Sequence, residues 1–285
     1  MSKSTAILLI ACKDQKGLVA RVAGFIHEYG GNILDSDHHT DQETGNFLMR
    51  TVFDLNGFQL ARADIDDAFR PLAKIHDMYV QWYFADQKPK VGMLVSQHDH
   101  CLADVLQRYR RGELAIEIPV IISNHRTAAW WADLFHIPFH YFPVTPETKQ
   151  RQEEQILSIF REQQVDLVLL ARYMQIVSEH FLGQVNCPVI NIHHSFLPAF
   201  IGAKPYHQAY DRGVKIIGAT AHYATPELDE GPIIAQDVVC VGHRDTVQDL
   251  IRKGRDLEEL VFSRAIRLHI ERRVLVYGRK TVVFD

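Results

Sequence analysis

The stretch Pro188-Val189-Ile190-Asn191-Ile192-His193-His194-Ser195-Phe196-Leu197-Pro198 opens as an unbroken apolar run and closes on amide, imidazole and hydroxyl groups. Strands buried on both faces of a sheet read as continuous apolar runs, not alternating ones. Three more such runs precede it, at residues 91–95, 118–122 and 165–170. Helical stretches lie between them, near residues 102–109, 127–135 and 146–163, the last opened by Thr145 as cap with Pro146 in its first turn. Strand and helix in alternation predict a parallel sheet with helices on both faces. Residues 216–223 and 233–241 continue as strands, and a long helix follows from Thr246 with Asp245 as its cap. Ligands in such sheets bind outside the carboxyl ends of the strands, and Asn191 lies at such an end.

Outward from this sheet, the first 85 residues follow a different plan. Residues 5–12 form a β-type run, and Asp14-Gln15-Lys16-Gly17 a polar turn. Leu18, Val22, Phe25, Ile26 and Tyr29 then fall on one helical face. Gly30-Gly31 ends that helix with residues free to take positive φ. Residues 32–40 and 46–54 read as a hairpin joined near Glu43-Thr44-Gly45. A second helix turns Ile65, Ala68, Phe69 and Leu72 inward, and Tyr79, Gln81 and Tyr83 alternate in a closing strand. The order βαββαβ is ferredoxin-like. Asp86-Gln87-Lys88-Pro89-Lys90 is a polar linker. The predicted organisation is therefore a first domain over 1–85, a linker over 86–90 and a second domain over 91–285.

Composition narrows the function. The 285 residues carry 31 Lys and Arg against 35 Asp and Glu, a net charge of −4, with no basic footprint for nucleic acid. Cys12, Cys101, Cys187 and Cys240 are scattered without a CxxC pair, which argues against a zinc ribbon or redox motif. Reduced thiols fit a cytoplasmic protein. The apolar run 6–12 stops at Lys13 and Asp14, too short for a signal peptide or a membrane span.

About thirty residues after Pro198 comes Leu228-Asp229-Glu230-Gly231-Pro232-Ile233-Ile234. Asn191 and His193, two apart in an extended stretch, share a face, and His194 should point away. An amide donor, an imidazole that titrates near neutral pH and a carboxylate suit acyl-type chemistry without a metal. By themselves these residues have structural readings too. A strand-end histidine packs, Asp229 forms turns, and Asn191 satisfies loop backbone. His98-Asp99-His100 and His38-His39 match no metal-binding pattern, so no metal is expected. His98 and His100 are expected to line the active-site mouth or cap a helix, and Cys101 to be a small buried residue.

Residues 191–202 and 218–234, including Ser195, Leu197, Pro198 and Gly202, resemble the active-site signature of folate-dependent formyltransferases and their hydrolytic relatives. That resemblance implies a Rossmann-like formyltransferase fold with a mostly parallel sheet, and catalytic roles for Asn191, His193 and Asp229. The segment Leu169-Leu170-Ala171-Arg172-Tyr173-Met174-Gln175-Ile176-Val177-Ser178 resembles the family's pterin-pocket segment. It implies folate binding by Met174, Gln175, Ile176 and Val177. Relatives often have arginine where Gln175 stands, so only a backbone role transfers there. The opposing wall is expected from residues 224–228, with Ala224, Thr225 and Leu228. The segment 14–23 with Gly30-Gly31-Asn32-Ile33 resembles an ACT domain. This implies side-by-side pairing and an amino-acid effector site at Asp14, Gly17, Asn32 and Ile33, glycine or methionine being the effectors considered.

In the glycinamide ribonucleotide formyltransferases the turn after the first strand of the domain is rich in glycine and serine and cradles the acceptor's phosphate. Here Ser96-Gln97-His98-Asp99-His100-Cys101-Leu102 lacks glycine and carries an acid. Water becomes the expected nucleophile. The ACT and catalytic segments together resemble the formyltetrahydrofolate deformylases across nearly the whole chain. The resemblance implies hydrolysis of 10-formyltetrahydrofolate to tetrahydrofolate and formate, in one-carbon and purine metabolism. The folate is then a substrate, with no tightly bound cofactor, and the chain a homo-oligomer, dimer or tetramer. Two alternatives remain: a formyltransferase using an unidentified amine, and a non-catalytic folate or amino-acid sensor.

Overall fold

The computed structural model describes residues 4–198 and 205–285, so Gly202 lies outside the described residues. The chain divides into two compact units. The first takes residues up to 88 together with 271–277 and 281–285.

In the first unit β1 (Thr5–Lys13), α1 (Leu18–Glu28), β2 (Asn32–Asp41), β3 (Asn46–Asp54), α2 (Ile65–Ile75) and β4 (Tyr79–Phe84) follow the ferredoxin-like order. The sheet runs β2-β3-β1-β4 with every pairing antiparallel. Leu18, Val22, Phe25 and Ile26 of α1 are buried, the face expected from their spacing. Gly30 at φ 77° lets its N–H and that of Gly31 turn back onto the carbonyls of His27 and Ile26. Asp41 Oδ1 accepts the N–H groups of Glu43 and Thr44, which closes the β2–β3 turn. Leu8, Ile10, Phe25, Phe53 and Phe69 fill the helix-covered face. On the other face Ile7, Leu9, Leu48 and Val52 pack with Leu275 and Phe284 from the end of the chain. Burial of these apolar faces holds the C-terminal segment to this unit.

The second unit contains β5 (Lys90–Val95), α3 (His100–Arg110), β6 (Glu117–Ser123), α4 (Ala129–Phe135), β7 (Phe139–Tyr141), α5 (Lys149–Glu162) and β8 (Leu167–Ala171). It continues with α6 (Glu179–Gln184), β9 (Val189–His193), α7 (Pro205–Arg212), β10 (Ile216–Tyr223), β11 (Ile233–Cys240) and α8 (Val247–Ile270). A last pair, β12 (Val274–Tyr277) and β13 (Lys280–Val283), ends the chain. The large sheet runs β11-β10-β9-β8-β5-β6-β7. The strands from β9 to β7 are parallel, and β10 is antiparallel to both β9 and β11. Every residue of β8 is buried, as its apolar run predicts. A Cβ on Gly92 would lie 2.6 Å from the Phe160 ring, so the glycine lets α5 settle on the sheet.

Two helix starts differ from expectation. The helix predicted from Pro146 begins at Lys149, because Thr148 Oγ1 takes the Thr145 N–H and forms a turn there first. At α8 the cap is Thr246, not Asp245. Thr246 and Asp249 exchange backbone-to-side-chain hydrogen bonds of 3.0 and 3.3 Å, a reciprocal cap. Asp245 instead accepts the Gly242 N–H.

Candidate active site

The parallel strands β8 and β9 end side by side, and the antiparallel β10 returns along β9. This geometry sets the site. In the β9–β10 register Asn191 faces His222 and His193 faces Thr220. Asn191 Nδ2 lies 3.2 Å from His222 Nε2. His222 Nδ1 lies 3.0 Å from the Tyr223 carbonyl. A carbonyl only accepts, so the Nδ1 of His222 carries the hydrogen and its Nε2 offers a lone pair. The Asn191 amide then donates one hydrogen to His222 and keeps the second for a ligand.

The loop from β10 to β11 brings the carboxylate. Asp229 takes a left-handed backbone, φ 58°, and two residues on Gly231 presses against Tyr223. A Cβ on Gly231 would meet the Tyr223 carbonyl oxygen at 1.7 Å, so the turn requires glycine. Asp229 Oδ1 lies 3.3 Å from His193 Nδ1 and 3.7 Å from His222 Nε2. Burial opposes ionisation of Asp229. The hydrogen bond and charge of His193, with His222 beside it, outweigh it and hold the carboxyl below the ordinary carboxylate range. With Nδ1 of His193 toward the carboxylate, its buried Nε2 is left without a hydrogen-bond partner among the described residues.

Asn191, His193 and Asp229 line one cavity of about 300 Å³. Met174, Gln175, Ile176 and Val177 form one wall, and Ala224, Thr225, Pro226 and Leu228 another. The structure thus brings together all ten residues expected at the catalytic and folate positions. The segment after β8 is pinned by side chains beneath it. Ser96 Oγ accepts the Met174 N–H at 2.9 Å and donates to Asn124 at 2.7 Å. Gln152 donates to the Tyr173 hydroxyl at 2.8 Å, and Glu153 accepts the Ser178 N–H at 2.9 Å. These ties leave the half-exposed Met174 and Ile176 side chains open to a flat apolar ligand.

Two expectations need correction. His194 does not point away. β9 ends at His193, so strand alternation no longer applies, and His194 lines the same cavity with its ring 5.2 Å from that of His193. His98 and His100 do not line that cavity. His100 instead binds the buried Glu258 at 2.8 Å. The side chains that sequence reasoning missed are Arg172, Tyr173 and His222. The alternation of Thr220 and His222 along β10 was the available signal for the last. Cys101 is buried, as expected, and burial pushes its thiol well up. His100, Cys101 and Glu258 lie close enough to suggest a cation site, but Arg172 Nε already sits 3.2 Å from the Glu258 carboxylate. Asp14 and Gly17 flank the start of α1, with Gly17 at φ 88°, and Asn32 and Ile33 begin β2.

Burial, reinforced by the positive charge of Arg172, lowers His194 to about 3. The folded value lies below the unfolded one, so the unfolded chain takes up the proton first. The stability from neutral His194 is complete above about pH 6.5 and is lost as pH falls toward the folded value. Between pH 7 and pH 5 the loss is about 2 kcal/mol. The thermal midpoint should fall over that interval, and His194→Asn should reduce the fall. Equal falls in both proteins would contradict the assignment.

A model of the family "Formyl transferase" matches residues 89–266, and an ACT domain model matches residues 6–70. The formyltetrahydrofolate deformylase of Synechocystis sp. is 54% identical over 284 residues, covering 100% of both chains. The crystal structure of a formyltetrahydrofolate deformylase from Pseudomonas syringae pv. tomato superposes with a TM-score of 0.97 at 44% identity, covering 100% of this chain and 96% of that one. A glycinamide ribonucleotide transformylase from Symbiobacterium toebii gives a TM-score of 0.66 at 32% identity, covering 71% of this chain and 97% of that one. No helix among the described residues is long and apolar enough to cross a membrane. With both domains matched in order and likeness extending from end to end, the chain belongs to the formyltetrahydrofolate deformylase family.

Proposed function

We infer that this protein hydrolyses 10-formyltetrahydrofolate to tetrahydrofolate and formate. The observation that carries the chemistry is the convergence of Asn191, His193 and Asp229 on one apolar-walled cavity. The pterin lies between the 174–177 segment and the 224–228 loop. The formyl group then meets the amide and the imidazole. Asp229 orients water and supports His193 through Nδ1. Water adds to the formyl carbon, and the oxyanion is held by the free Asn191 N–H and by His193. The C–N10 bond breaks, a proton passes to N10 from His193 or a bound water, and formate leaves with the water oxygen. No bound cofactor enters this scheme, because the folate is the substrate.

The protein serves one-carbon and purine metabolism in the cytoplasm, as a homo-oligomer paired through its ACT domains. A small amino acid such as glycine or methionine acts at Asp14, Gly17, Asn32 and Ile33. The ACT match over residues 6–70 supports a small-molecule effector. The test of the activity is formate release by the purified protein from 10-formyltetrahydrofolate with no amine present. One formate per folate is expected. Turnover only on addition of an amine would favour the transferase reading, and folate binding without product a sensor.

A further inference from the structure

Two imidazoles stand side by side in the catalytic cavity, and the hydrolytic scheme uses only one. His194 follows His193 at the end of β9, lines the same cavity and keeps its ring 5.2 Å from that of its neighbour. The Tyr206 ring of α7 lies 6.1 Å from it. Neither His194 nitrogen has a hydrogen-bond partner among the described residues, and neither is enclosed. Both polar atoms are therefore left to water or a ligand in the cavity.

The two rings meet opposite charges. His193 Nδ1 lies 3.3 Å from the Asp229 carboxylate. His194 instead lies in the field of Arg172, which a buried cluster holds in place. At its centre Glu258 of α8, only 1% exposed, binds His100 Nε2 at 2.8 Å, accepts the Tyr206 hydroxyl at 2.5 Å and lies 3.2 Å from Arg172 Nε. One turn before Glu258, a Cβ on Gly254 would lie 2.2 Å from Tyr206, so α8 is cut away to seat that side chain. Burial, then the charge of Arg172, then that of His193 disfavour a proton on His194, and they outweigh the pull of Glu258 and Asp229. His194 thus keeps one nitrogen lone pair and one N–H throughout the neutral range.

An attacking water needs such a partner. Asp229 gives it one acceptor, and a second, uncharged acceptor fixes the direction of its lone pair. The pterin walls at 174–177 and 224–228 come from other segments. We propose that His194 is a further catalytic residue, whose imidazole accepts a hydrogen bond from the attacking water and aims its oxygen at the formyl carbon. This rests on the hydrolytic reading above and names how its water is held. His194 takes the hydrogen bond but not the proton. The water oxygen bonds to the formyl carbon, and one water proton ends on N10 as the C–N10 bond breaks. The other leaves with formic acid, which ionises to formate.

The test compares His194→Leu, which removes the lone pair, with His194→Asn, which keeps a lone pair and an N–H. The leucine variant should lose roughly 10²-fold in kcat, the cost of a misplaced reactant, with tetrahydrofolate affinity within a few-fold of wild type. The asparagine variant should recover to within about tenfold of the wild-type kcat. Near-normal kcat in the leucine variant would overturn the proposal. Loss of folate binding in proportion to rate would make His194 a wall residue and overturn it too, as would an asparagine variant no faster than leucine. If the leucine variant does not fold, the pH profiles of kcat decide. Because His194 does not titrate there, wild type and His194→Asn should give profiles of the same shape from pH 5 to pH 9. A lost or displaced inflection would overturn the proposal. Failure of the wild type to release formate without an amine would strike the hydrolytic reading instead.

Discussion

Asp229→Asn is expected to lower kcat by about 10³-fold while leaving folate affinity within a few-fold. The substitution keeps the volume and the left-handed turn, which asparagine tolerates. What it removes is the charge. The carboxylate lies 3.3 Å from His193 Nδ1, inside a site where little water screens it. Without it, positive charge developing on the His193 ring during proton transfer has no counter-charge, and water loses its strongest acceptor. The pterin walls are formed by other residues, so binding of tetrahydrofolate by fluorescence titration should persist. Near-normal turnover, or loss of binding in proportion to loss of rate, would defeat the assignment.

Asn191→Ala should cost about 10²–10³ in kcat, the usual loss on removing one oxyanion donor. The neighbouring geometry explains why the amide is well placed. His222 holds one Asn191 hydrogen at its Nε2, and the Tyr223 carbonyl fixes the His222 tautomer. A donor fixed before the substrate arrives needs no reorganisation when charge develops. The loss should therefore appear in kcat, with KM little changed. A rise in KM with kcat intact would make Asn191 a binding residue and remove it from the chemistry.

Much of this site was legible in the sequence because its parts are short and local. Asn191 and His193 lie two apart on one strand, and the apolar run before them announced a buried sheet. Met174 to Val177 and Ala224 to Leu228 each form a continuous loop. What distinguished catalytic from structural readings of His193 and Asp229 was resemblance, since a lone histidine or a turn aspartate has no chemical signature. The fold was similarly readable where apolar periodicity was long, as in α1 and β8. The short β7, α6 and α7 span too few residues to express a period. The cluster around Glu258 was not readable at all. Its members His100, Arg172, Tyr206 and Glu258 come from four separate segments that meet only in three dimensions. The return of Leu275 and Phe284 to the first unit is another long-range contact without a local signal.

Hydrolysis in water enriched in oxygen-18 is the most direct test that water attacks the formyl carbon in this cavity. Single-turnover formate analysed by mass spectrometry should carry one labelled oxygen, with tetrahydrofolate formed in equal amount. Formate without the label, or label incorporation that survives unchanged in rate when Asn191, His193 and Asp229 are all replaced, would contradict the account.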